Sequence, residues 1–275
     1  MNTYNNPSLL VSLKQARPYH YNDMKFTLGR AIRNFSILQE LPKRPEYLLE
    51  TTIECILMCQ GALLDATKSK DKDSSMDSDI FIQFGICYAL GQRVQFIAVK
   101  TDDFEELPPH IPIVESYLEI FEGHWQLEAQ LANKIKTWSS AKTFPKSPVI
   151  KRDPTNGDSF LVIGVQGIEK RDLLNAIQSF AQGVNWKLKA NFEIKSSFQM
   201  DDLMREIAVH SFAVFCIGQR NNEETLIAIG LAMGMGVPFL VLQHEEASLP
   251  DILKGYNGVI TYQGFNDLPD KLKTH

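Results

Sequence analysis

The sequence lacks most of the features that assign a function at a glance. No apolar run is long enough to span a bilayer, so a membrane protein is not expected. Lys and Arg number 28 against 33 Asp and Glu, a net charge of −5, so no general nucleic-acid-binding surface is expected. Only four cysteines occur, Cys55, Cys59, Cys87 and Cys216, each among apolar neighbours. Cys55 and Cys59 stand one helical turn apart, but a zinc site needs two further ligands and none lies close in sequence. Buried, reduced thiols are the expectation, and with them a reducing, cytoplasmic compartment. Met1–Pro7 is polar and lacks the basic-then-apolar start of a signal peptide. His110 and His124 have no Ser or Cys partner in an elbow motif, which leaves a hydrolase triad unsupported. Gly164-Val-Gln-Gly167 lacks the third glycine of a dinucleotide fingerprint. Neither a metal nor a cofactor is predicted.

What the sequence does have is a repeat. Asp77–Gly91 reads as a helix start, a helix rich in small residues and a Gly stop, followed by the apolar run Val94–Val99. A weaker copy occupies Glu224–Gly236, followed by Pro238–Leu242. Asp79–Phe96 superposes on Glu224–Val241 without a gap, setting Gly85 on Gly230 and Gly91 on Gly236. Downstream, Leu107-Pro108 meets Leu249-Pro250, and Phe121-Glu-Gly123 meets Tyr262-Gln-Gly264 with a one-residue slip. Upstream, Ala62–Asp65 meets Ala213–Cys216, so the second copy has lost the Asp at the strand end. Two copies of one unit imply two similar halves.

The rest of the chain reads as alternating strands and helices. The pattern predicts a strand over Ser8–Leu13, a loop over Lys14–Asn22 and an amphipathic helix from Asp23 to about Gln39. A helix over Glu46–Cys59, a buried strand at Ala62–Leu64 and a polar loop over Lys68–Ser75 follow. Tyr117–Phe121 reads as an edge strand and Trp125–Trp138 as a helix. Ser139–Gly157, with three prolines and a Pro-Thr-Asn-Gly end, suits a linker. Strands at Phe160–Val165, Trp186–Ala190, Phe212–Ile217 and Gly258–Tyr262 then alternate with helices at Arg171–Gln182, Met200–His210 and the C-terminus. The expected fold is therefore α/β: two tandem Rossmann-like units with parallel sheets, pseudo-two-fold related, over residues 1–138 and 158–275.

The first half resembles the nucleoside 2-deoxyribosyltransferase family. The residues that carry the likeness are Ala62-Leu-Leu-Asp65 as a strand ending in an acid, and Asp77-Ser78 before the helix. Gly85, Ala89, Leu90 and Gly91 then fit the family's glycine- and alanine-spaced helix, and Lys100-Thr-Asp102 fits its Arg-Thr-Asp. The likeness covers roughly Ile53 to Asp103. It implies a flavodoxin-like fold in a wider group that cleaves N-glycosidic bonds of nucleosides or NAD, or only senses nucleotides. It also implies sites completed by a neighbouring subunit, which a fused pair or a homo-oligomer would supply.

The departures bear directly on mechanism. Where the family places its nucleophilic Glu, this chain has Gln83, and the second copy has Ala228. A carboxylate is needed there to attack the anomeric carbon, and a neutral amide is a poor nucleophile. Asp79 and Glu224 lie four residues earlier on the same helix face and are the alternative catalytic candidates, together with Asp65. Asp79 and Glu224 are equally explained as helix caps or as acids at a positive helix end. Asp65 at a strand end suits a ribose hydroxyl or acid–base work, and also a turn. Candidate ligand-binding residues are Asp77, Ser78 and Gln83, with Lys14 and Arg17 after the first strand and Gly167 and Arg171 after its counterpart. The expectation is a nucleotide- or nucleoside-derivative-binding protein. An N-glycosidase or transferase, and a purely structural protein, stand as alternatives.

Overall fold

The computed structural model describes residues 8–13, 18–32, 37–40, 48–59, 61–69, 78–100, 104–105, 116–140, 159–165, 170–183, 185, 187–192, 200–219, 222–266 and 268–274. The first half runs β1 (Ser8–Ser12), α1 (Pro18–Ile32), β2 (Ile37–Glu40), α2 (Leu48–Met58), β3 (Gly61–Asp65) and β4 (Lys68–Ser69). It continues with α3 (Asp79–Ala89), β5 (Arg93–Val99), β6 (Phe104–Glu105), β7 (Leu118–Phe121) and α4 (His124–Ser140). The second half runs β8 (Ser159–Ile163), α5 (Lys170–Gly183), β9 (Lys187–Phe192), α6 (Met200–Ala208) and β10 (Phe212–Ile217). After these come α7 (Glu223–Met235), β11 (Phe239–His244), a single 3-10 turn at Asp251–Leu253, β12 (Val259–Tyr262) and α8 (Leu268–Thr274).

The first sheet has the order β2-β1-β3-β5-β7 and the second the order β9-β8-β10-β11-β12, with every pairing parallel. Counted within each half, both orders are 2-1-3-4-5, the flavodoxin-like arrangement, with a switch point between the first and third strands. β4 and β6 form a separate antiparallel ribbon beside the first sheet. The expected pair of parallel α/β units is therefore present, and its second member repeats the topology of the first.

Several of the sequence expectations need correction. The helix read from Asp23 begins at Pro18 and stops at Ile32, so Pro18–Asn22 belongs to α1 and not to a loop. Proline suits a first helical turn, where its missing N–H would be unpaired anyway. Ile37–Glu40, expected as the end of that helix, is instead strand β2, selected by its pairing with β1. The helix before the linker runs on to Ser140, so the expected linker's first two residues are helical. The remainder of the linker lies outside the described residues.

Alternate strand residues divide the core by face, as a period of two requires. Leu9 and Val11 of β1 join Met24, Leu28, Leu127 and Leu131 in an outer core under α1 and α4. Phe160 and Val162 of β8 join Leu173, Ile177, Leu268 and Leu272 under α5 and α8. Leu10 and Leu161 face the other way, into one central core common to both halves, built on α2, α3, α6 and α7. The halves are two sheets sharing one interior.

That interior is centred on the repeat itself. A methyl group built on Gly85 would stand 2.8 Å from Leu231 N and closer still to Ile227 O. One built on Gly230 would stand 2.9 Å from Gly85 Cα and closer still to Ile82 O. The contacts are reciprocal, since Ile82 and Ile227 are equivalent positions, and this is what a two-fold relation produces. One turn on, a methyl on Gly234 would lie 2.6 Å from the Cβ of Ala89, its own counterpart. Like against like at two successive turns means that α3 and α7 run in the same sense. Small residues four apart let the two backbones touch. Gly91 and Gly236 end these helices with the same φ of 67°, the left-handed conformation that glycine takes without strain.

All four cysteines are buried, and none is in a disulfide. Burial pushes the Cys87 and Cys216 thiols well above their ordinary range, which makes them inert. No helix among the described residues is long and apolar enough to cross a membrane.

Candidate functional site

At the carboxyl end of the first sheet, β1 and β3 finish side by side, with Ser12 paired to Leu64 and Asp65 next in line. This is the switch point, where open α/β sheets leave a crevice. Asp65 is 1% exposed, and its Oδ1 accepts the Thr67 N–H at 3.1 Å, a local turn that fixes the carboxylate. Thr67 in turn accepts the Val99 N–H through Oγ1 at 3.2 Å, tying the β3 end to the β5 end. Sequence reading did not single out Thr67, because no motif marks a threonine that serves as a strand-to-strand tie.

The N-terminus of α3 stands at the same end. Ser78 occupies the cap position, half-buried and without a side-chain cap bond. Asp79 is buried, and its Oδ1 accepts the N–H of Ile252 in the second half at 3.1 Å. The bland expectation for Asp79 was a cap on its own helix. From the first turn of α3 its carboxylate also holds the 3-10 turn at Asp251–Leu253, whose Ile252 and Leu253 are buried against the central core. Asp251 pairs with Lys254 at the exposed end of the same turn. That turn is a site element which no local pattern reveals.

Gln83 follows Asp79 by one helical turn and so lies on the same flank of α3. It is 2% exposed, and its Oε1 is buried with no hydrogen-bond partner among the described residues. An unpaired buried acceptor costs roughly 1–3 kcal/mol, so its presence calls for an explanation. At this position of the helix the first half offers an acceptor that nothing among the described residues uses.

The second half is built differently at the equivalent place. Ala228 is buried and has nothing to offer a ligand. Gly164, at the end of β8 with φ 90°, is packed so that a methyl there would meet Thr225 Oγ1 at 2.6 Å and Cys216 O at 2.5 Å. Asn222 brackets Gly218, accepting its N–H at 2.9 Å and donating to its carbonyl at 2.7 Å. Thr225 itself is buried. Here the loop, the helix start and the strand end are bonded and packed on one another.

Glu224 is half-buried at the start of α7, and burial, reinforced by neighbouring Glu223, pushes its carboxyl up to about 7. Because α3 and α7 run in the same sense, Asp79 and Glu224 stand at the same end of the helix pair. Arg171 is exposed in the first turn of α5. Lys14, Arg17, Asp77 and Gly167 lie outside the described residues. Among the described residues no three His, Cys, Asp or Glu side chains gather as a metal site would need. No family model and no curated protein matches this chain.

Proposed function

We propose that the chain binds a nucleoside or nucleotide derivative at the carboxyl end of its first sheet and acts as a sensor or regulator. The observation that carries this reading is Gln83, a buried amide whose Oε1 has no partner among the described residues. It stands where the resemblance to nucleoside 2-deoxyribosyltransferases leads one to expect a nucleophilic carboxylate. An amide there accepts a hydroxyl hydrogen bond and attacks nothing, which suits recognition without glycosidic chemistry. Asp65, held at the switch point, is the natural second acceptor for a ribose. Asp77 and Ser78 precede the same helix, with Lys14 and Arg17 after β1 for any phosphate, and Gly167 and Arg171 as their counterparts in the second half. A thermal-shift screen across nucleosides, NAD, ADP-ribose and cyclic nucleotides tests it. At 100-fold excess over its dissociation constant a ligand stabilises by about 2.7 kcal/mol, so at least one compound raises the melting temperature saturably. A flat response to all of them rejects the reading.

One observation favours a second reading, an N-glycosidase or transferase using Asp65 with Asp79 or Glu224. A carboxyl pushed up to about 7 is suited to donate a proton at neutral pH, and Glu224 has that property. Asp79 suits it less, since its carboxylate already accepts the Ile252 N–H. Release of free base from a nucleoside or NAD at enzymatic rates, abolished by Asp65→Asn, establishes this second reading and removes the first.

A further inference from the structure

The two halves treat the middle of their outer edge strands differently: Gln126 takes the Glu122 N–H just past β7, but the strand itself has no counterpart, among the described residues, of the side-chain bond seen on β12. β7 and β12 are equivalent last strands, each paired on one side only among the described residues. In β7 the ladder to β5 uses alternate residues, with Phe96 N donating to Tyr117 O and Lys100 N to Phe121 O. The N–H and C=O of Leu118 and Ile120 therefore point outward. In β12 the same geometry, with Val241 N on Gly258 O and Glu245 N on Tyr262 O, turns Val259 and Thr261 outward. There the edge is guarded: Lys271 of α8 donates to Thr261 O at 3.1 Å. A lysine across an edge is a recognised means of preventing strand addition. The equivalent of Thr261 in the first half is Ile120, apolar and 37% exposed. Trp125, in the first turn of α4, is 72% exposed, its ring near Gly123, where a methyl would meet it at 3.0 Å.

We propose that β7 pairs antiparallel with β7 of a second copy of this chain, about a two-fold axis at Ile120, making one continuous sheet from two first sheets. The strand is complementary to itself in that register. Ile120 faces Ile120 and exchanges both main-chain bonds, and Leu118 faces Glu122, where the Leu118 N–H meets the Glu122 carbonyl while the Glu122 N–H stays on Gln126 Oε1 at 2.6 Å. Glu119 falls opposite Phe121, so the two Glu119 carboxylates do not meet. The Glu122 carboxylate is already neutralised by Lys100 at 2.7 Å. The guard on β12 stops addition at the other half's equivalent edge, so a closed pair forms rather than a filament growing through both edges.

The test is sedimentation equilibrium of the full chain from micromolar to sub-millimolar concentration, with hydrogen exchange read at Ile120. The expected species has twice the 31.2 kDa chain mass, and the Ile120 amide exchanges more slowly as concentration rises. Ile120→Lys, which copies the guard of the other edge, raises the dissociation constant at least about tenfold without lowering the melting temperature of the dilute protein. A single-chain mass at every concentration overturns the proposal. So does a dimer in which exchange at Ile120 is independent of concentration, a measurement on the unaltered protein that does not rely on the variant folding.

Discussion

The two halves have the same strand order and place the same helix at their centre, yet they differ wherever chemistry or association would occur. The first keeps Asp65 at its switch point and an unpaired Gln83 acceptor one turn into α3. The second has Ala228 at the equivalent helix position, packs Thr225 onto Gly164 and closes its loop with Asn222. It also lends its turn at Asp251–Leu253 to the first half, through Ile252 N on Asp79. The two halves thus share what packing needs and differ in the polar groups they set around it.

The comparison is broken most severely at the shared helix pair. Gly230→Ala forces a methyl against Gly85 Cα and Ile82 O, and separating two buried backbones is expected to cost about 3 kcal/mol or more. Gly29→Ala is the control, because nothing lies within 4 Å of a methyl there, and removing a helix-interior glycine gains about 1 kcal/mol. Urea denaturation of both variants measures the contrast. Equal effects would mean that the two-fold contact is not the tight joint described here.

Asp79→Ala comes next. It leaves the Ile252 N–H buried without this acceptor, at a cost of about 1–3 kcal/mol. Amide exchange at Ile252 should accelerate while that at Leu161, in the second sheet, is less affected. If exchange at Ile252 is unchanged, the turn is held by something other than Asp79.

The smallest effect concerns Glu224. Its carboxyl is raised from 4.5 to about 7, so the fold favours the protonated form. Stability from this group is full below the unfolded value and falls as pH rises from about 4.5 to about 7, then levels. Solvent reaches half of the side chain and screens the penalty, so the loss is a fraction of what a fully buried group would show. Glu224→Gln should flatten that slope and raise the melting temperature at neutral pH by roughly 1–2 °C. An unchanged profile would place the charge in better-solvated surroundings than its burial implies.

Much of the fold was legible in the sequence because it rests on local pattern. Continuous apolar runs marked the buried parallel strands, and Gly91 and Gly236 marked the helix stops that both adopt left-handed φ. β2 was not legible. Phe35 and Leu38 continue the helical spacing of α1, and only pairing with β1 makes Ile37–Glu40 a strand. The repeat showed that Gly85 and Gly230 are equivalent but could not show that they touch, since equivalence is a statement about sequence and contact one about space. The acid at the end of β3 and the substitution of Gln83 were readable from the chain. The partner of Asp79 was not, because Ile252 lies 173 residues away and offers only a backbone N–H. Thr67 escaped for the same reason: hydrogen bonds to main chain leave little trace in residue type.

The most direct measurement is calorimetric titration of the unaltered chain and of Gln83→Met with nucleosides, NAD, ADP-ribose and cyclic nucleotides. Methionine keeps the length of the side chain and removes the buried unpaired amide. Saturable binding of at least one compound to the unaltered chain is expected, weakened about tenfold or more in Gln83→Met, as loss of one buried hydrogen bond implies. The unliganded variant should melt no lower than the unaltered chain, because an orphan acceptor has gone. No binding to the unaltered chain, or equal binding to both proteins, would contradict a ligand site built on Gln83.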